Sequence, residues 1–124
     1  GLNPENQCNS LTGHTGRVEE VSSEMTTEQK IQYIADHYGY EPQSRQLIEE
    51  MAELTVAINK LWRKHEYKST SIDIAEAHFD VLEEIADVEI MITQIEHLLG
   101  ISAMELNNMI DQKLDRQIER IKNE

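Results

Sequence analysis

Two pairs of acids carry the spacing that can do chemistry: Glu50 with Glu53, and Glu84 with Asp87. Each pair is i,i+3, so on a helix its two carboxylates stand one turn apart. Leu47, Met51, Leu54, Ile58 and Leu61 recur every three or four residues between Arg45 and Leu61, the apolar stripe of a long amphipathic helix. At about 100° per residue, Glu50 falls on the border of that stripe, roughly 60° from its centre, and Glu53 lies about 60° further round beside small Ala57. A second stripe runs through Ile74, Val81, Ile85, Val88, Ile92, Ile95 and Leu99, with Glu84 on its border and Asp87 one turn on. Glu49 and Glu83 point to water in both readings. Carboxylates this close repel, and burying one is costly unless a cation compensates. Carboxylate-only donors select hard ions, Mg²⁺ or Mn²⁺, over Zn²⁺ or copper. If the two helices pack antiparallel, all four acids can meet.

Each acidic pair alone is weak evidence, because glutamates are common on solvated helix faces. Two such pairs, each with its inner acid at a stripe edge, argue against that plain reading. Other metal chemistries lack their motifs. A di-iron bundle needs Glu-x-x-His, and no glutamate here has a histidine three residues later. No His-Glu-x-x-His zinc motif occurs. His78 falls on the apolar side of its helix and reads as half-buried, while His65 and His97 read as helix-end surface groups. Thr12–Gly16 lacks the Gly-Lys-Ser/Thr ending of a phosphate loop. Cys8 with His14 is a conceivable metal pair, but a polar tail is the better reading.

The elements that position the acids follow from caps and breakers. Residues 1–24 are polar and without apolar period, which predicts a flexible arm ahead of a domain spanning 25–124. Met25 is a plausible natural start, which would make part of the arm foreign to the native chain. Thr26 or Thr27 caps a short helix through His37, with Ile31, Ile34 and Tyr38 on one face and Gly39 as the stop. Pro42 opens the main helix, which runs to about Lys64, and Trp62 lies near its stripe. Ser71 caps the next helix, from about Asp73 to Leu99, with a break conceivable near Ala77–Asp80. Gly100 ends it, and Ser102-Ala103-Met104-Glu105 is a capping box for the last helix. Leu106, Ile110, Leu114, Ile118 and Ile121 give that helix its apolar face. Lys113 lies within this stripe, with Arg116 and Arg120 beside it; a solvated helix end is the competing reading of the two arginines. No strand pattern appears, so the fold class is all-α.

Length and composition bound the rest. A chain of 124 residues makes one domain with a modest core, and with aromatics at 5% that core must be Leu, Ile, Val and Met. A small domain with long helices is expected to finish its burial by oligomerising. The net charge of −13 argues against a nucleic-acid polymer or an anionic membrane as partner. It leaves a phosphate ligand open, because divalent cations bridge carboxylates to phosphates. A lone cysteine fits a reducing compartment, and no apolar run is long enough to span a membrane or to serve as a signal peptide. The expected location is cytoplasmic.

Glu49-Glu50-Met51-Ala52-Glu53, followed by Glu84-Ile85-Ala86-Asp87, resembles the two motif helices of the MazG-like all-α nucleoside triphosphate pyrophosphohydrolases. The resemblance covers about Thr27 to Arg120. Leu54 to Glu83 is long for the segment between the motifs, and the family's lysine–asparagine–arginine column keeps only Lys113 and Arg120. The resemblance implies an antiparallel helical bundle completed as a homodimer or homotetramer. It also implies hydrolysis of a (d)NTP to (d)NMP and pyrophosphate, in the setting of nucleotide-pool sanitation. Glu50, Glu53, Glu84 and Asp87 would hold Mg²⁺, with Mn²⁺ as a substitute. Lys113, Arg116 and Arg120 would hold phosphate oxygens. Glu53 is assigned the catalytic role, although which metal-site glutamate accepts the water's proton stays open. Gln43 and Trp62 are candidate base contacts, core packing being the stronger expectation for Trp62. The alternative is a non-catalytic helical interaction module or a nucleotide-binding member without turnover.

Overall fold

The computed structural model describes residues 24–124, and the readings of Cys8, His14 and the remainder of the arm lie outside them. Among the described residues the fold is all-α, with four helices and no strand. They are α1 (Thr27–Tyr38), α2 (Tyr40–Glu66), α3 (Ser71–Leu98) and α4 (Ala103–Lys122). Thr26 caps α1: its hydroxyl accepts from the Gln29 N–H, and the Gln29 side chain accepts from the Thr26 N–H. Gly39 joins α1 to α2 at φ +86°, a backbone state that an L side chain resists. Thr70, not Ser71, caps α3, through a bond from the Asp73 N–H at 3.1 Å. No break interrupts α3 near Ala77–Asp80; Ala77 is buried and the helix is continuous. Ser102 and Glu105 form the capping box of α4, and the Ser102 N–H holds the Glu105 carboxyl below its usual range.

α2 and α3 pair as an antiparallel hairpin, and α1 packs across it, mostly against α3. The packed face of each helix steps alternately by four and three residues. On α2 it runs Gln43, Leu47, Glu50, Leu54, Ala57, Leu61 and Lys64, each buried or half-buried. On α3 it runs Ala77, Val81, Glu84, Val88, Met91, Ile95 and Leu98, again buried or half-buried. That alternation is the 3.5-residue seam of two long helices crossing at a shallow angle. Near one end of the hairpin, Gln43 Nε2 donates to Gln94 Oε1 at 2.7 Å, and Gln94 is almost fully buried. His97 Nε2 meets Asp36 Oδ1 at 2.8 Å and ties α1 to the last turn of α3. This corrects the reading of His97 as a simple surface group.

The core differs from the expected one. The buried apolar residues are Ala35, Ala57, Ala77, Val88 and Met91, so alanine rather than leucine and isoleucine dominates. Small seam residues let two helices approach, but a hairpin has no interior for bulky side chains on its outer sides. Met51 and Ile58, two of the five residues of the predicted α2 stripe, are therefore exposed, as are Ile85 and Ile92 of the α3 stripe. Trp62 is 57% exposed, against the expectation of core packing. Ile34 and Tyr38 of α1 are exposed, and His78 is exposed rather than half-buried. α4 barely touches α1–α3, and its Ile110, Leu114, Ile118 and Ile121 face solvent.

Candidate metal centre

The seam brings the acids together. Seven residues on from Gln43 is Glu50, and seven back from Gln94 is Asp87; three further in each direction are Glu53 and Glu84. One antiparallel register thus sets Glu50 against Asp87 and Glu53 against Glu84. Glu50, Glu84 and Asp87 each offer a carboxylate oxygen, and these oxygens lie within 4.8 Å of one another. Glu53 is close to both glutamates and raises the pKa of each. All four acids of the two motifs therefore converge at mid-hairpin.

The electrostatics are those of a site lacking a positive charge. Burial, the close carboxyl contact with Glu53 and the charges of Asp87 and Glu53 push the Glu50 carboxyl up to about 7. Burial first, then the charges of Glu53, Asp87 and Glu83, raises Glu84 as well. Glu84 Oε2 is buried and has no hydrogen-bond partner among the described residues. An unsatisfied buried carboxylate oxygen calls for an explanation in a native fold. A divalent cation among these oxygens would satisfy it and cancel the mutual repulsion, and hard oxygen donors fit Mg²⁺ or Mn²⁺. Gln46 Nε2 donates to Glu50 Oε1 at 3.4 Å, a long bond that leans the carboxylate along α2.

A cavity of about 450 Å³ opens beside the cluster, lined from α2 by Glu53, Ala57 and Lys60 and from α3 by Asp80 and Glu84. Glu49 and Glu83, expected to point to bulk water, are exposed but sit on its rim. Lys113, Arg116 and Arg120 are exposed on α4, outside this cluster in the single chain, and no ion pair joins them to an acid among the described residues. Gln43 lies in the seam two turns from Glu50 and is engaged with Gln94. Trp62 lies beyond the cavity on α2, outside its lining. Sequence reasoning overlooked Lys60. Its signal was the step of seven from Glu53 through Ala57, which puts all three on one helix face.

No protein-family model, no curated protein and no solved structure matches this chain.

Proposed function

We propose that the chain is a Mg²⁺-dependent nucleoside triphosphate pyrophosphohydrolase of the MazG-like all-α type, converting a (d)NTP and water to (d)NMP and pyrophosphate. The observation that carries this reading is the convergence of Glu50, Glu84 and Asp87 oxygens within 4.8 Å, with Glu53 alongside. Glu50, Glu84, Asp87 and Glu53 would hold the metal, from two helices whose seam fixes their spacing. The ion, when bound, neutralises the phosphate chain and acidifies a water. Glu53, at the junction of cluster and cavity, would accept the proton of the attacking water as its oxygen bonds to the α phosphorus. The bond from that phosphorus to the bridging oxygen breaks, and pyrophosphate leaves with the electron pair. Resemblance of the two acidic motifs supplies the choice of this bond.

The exposed apolar faces of α2 and α3 and the unattached α4 support a second part of the reading: the chain works as a homodimer or homotetramer. A neighbouring copy that lays Leu114 and Ile118 of its α4 on those faces would carry Lys113, Arg116 and Arg120 towards the acids. There the bases would neutralise outer phosphate oxygens. The same apolar faces favour the alternative, a helical module that binds a partner helix without chemistry.

The test is incubation with a panel of canonical and modified nucleoside triphosphates and Mg²⁺, with release of pyrophosphate as readout. Pyrophosphate and monophosphate in equal amounts, abolished by chelation, are expected. Absence of turnover across the panel, with a heterologous helix bound instead, would replace this reading with the second.

A further inference from the structure

The cavity beside the acids has an arrangement that a metal centre alone does not require. Its lining includes Glu53 and Glu84 of the cluster, and Glu49, Asp80 and Glu83 around them, yet Lys60 projects from the same walls. Lys60 is its one cation among the described residues, and no ion pair engages it. A lysine among acids normally pairs with one of them. An ammonium left unpaired in a cavity keeps its three donors available to a ligand.

The placement along α2 has a direction. Glu53 and Lys60 share a helix face and are separated by about 10 Å of helix rise. Between them stands Ala57, whose methyl leaves the floor of the cavity open. Side chains on a helix lean towards its N-terminus, so the lysine reaches back along the cavity towards Glu53. The cavity therefore has a metal-attracting pole at Glu53 and Glu84 and a cationic pole at its far end. A ligand that satisfies both is elongated, polyanionic and bridged to carboxylates by divalent metal. Its volume of about 450 Å³ is ample for such a ligand.

We infer that Lys60 is a phosphate-binding residue of this site and grips the distal end of the triphosphate, the portion released as pyrophosphate. The inference rests on the hydrolase reading for the identity of the ligand, and it adds a cation that the single chain supplies without a partner. With the reacting phosphorus beside Glu53, the two outer phosphates run under Ala57 towards the lysine. Lys60 neutralises charge on that end as the bridging oxygen takes the electron pair, and it touches the leaving group, not the water. Asp80, opposite Ala57 in the hairpin register, lines the same path midway between Glu53 and Lys60.

The experiment is a calorimetric titration of inorganic pyrophosphate, with Mg²⁺ present, into the wild-type chain, Lys60→Ala and Lys60→Arg. Lys60 is exposed and alanine is a strong helix former, so the variants are expected to fold, which circular dichroism verifies. Lys60→Ala should weaken pyrophosphate binding by about tenfold or more, whereas Lys60→Arg stays within about threefold, as expected for loss or retention of a charge-assisted phosphate contact. Nucleoside monophosphate affinity should be the same in all three. Unchanged pyrophosphate affinity in Lys60→Ala, or no binding to the wild type, overturns the inference. So does a loss confined to the monophosphate, which would put the nucleoside in this cavity. Lys60-dependent pyrophosphate binding by a chain that hydrolyses no triphosphate would sink the hydrolase reading and leave the phosphate site standing.

Discussion

Replacing Glu50 by glutamine should raise the stability of the metal-free protein and remove most of its response to Mg²⁺. In the wild type at pH 8, above the value of about 7 that Glu50 reaches, the Glu50 carboxyl is mostly ionised among its acidic neighbours. Two unit charges at the 4.8 Å limit of the carboxylate set repel by about 0.9 kcal/mol in water and about 3.5 kcal/mol at an effective dielectric constant near 20. Solvent access and salt cut this to a net gain on the order of 1–2 kcal/mol for removing one charge. For a domain of this size that is a rise of roughly 5–10 °C in Tm. Glutamine is nearly isosteric and can still accept the long bond from Gln46. Mg²⁺ at one hundred times its Kd should add about 2.7 kcal/mol to the wild type, and far less to the variant with one ligand gone. The assay is thermal unfolding at one fixed protein concentration, with EDTA and then with Mg²⁺. The variant should melt higher in EDTA and lose that advantage in Mg²⁺. A variant no more stable than wild type in EDTA would show that the acids do not strain the fold. Equal Mg²⁺ shifts in both proteins would show that Glu50 is not a ligand.

Further expectations concern pH, turnover and assembly. Because Glu50 and Glu84 hold their protons more tightly folded than unfolded, metal-free stability should be greatest near pH 4.5 or below as far as these groups decide it, and should fall as pH rises to about 7. Chemical denaturation across that range checks the sign, and Mg²⁺ affinity should rise over the same interval. Glu53→Gln should lower kcat by about a thousandfold or more, while Glu49→Gln on the cavity rim costs less than about tenfold; equal losses would mean that the helix facing is misread. Lys113→Ala should raise KM or lower kcat with Tm unchanged, and a change in Tm alone would assign Lys113 to packing. Leu114→Asp should lower the molar mass seen by light scattering if α4 docks on a second copy; an unchanged mass would separate α4 from the assembly.

Local signals were the most legible. Thr26, Gly39, Ser102 and Gly100 mark helix ends in the sequence and do so in the fold, because capping depends on a few neighbouring residues. The meeting of Glu50, Glu84 and Asp87 was also readable, since i,i+3 spacing on two helices leaves an antiparallel pair few other registers. The seam was legible in part: Leu47, Leu54, Leu61, Val81, Val88 and Ile95 lie on the apolar stripes and Glu50 and Glu84 on their borders, but Gln43, Lys64 and Ala77 carry no apolar period to mark them. Apolar Met51, Ile58 and Trp62 instead lie outside it, exposed on the outer sides of the hairpin. The hydrogen bond between His97 and Asp36 joins residues from separate helices, which no local pattern reveals.

The amide pair Gln43–Gln94 has a consequence for the acids a step away. Sliding one helix by a heptad would set Gln43 against Asp87 and carry Gln94 past the start of α2, breaking the amide bond. The pair therefore acts as a vernier on the carboxylates: a change at Gln94, touching neither ion nor substrate, would detune the centre by shifting how its two halves line up.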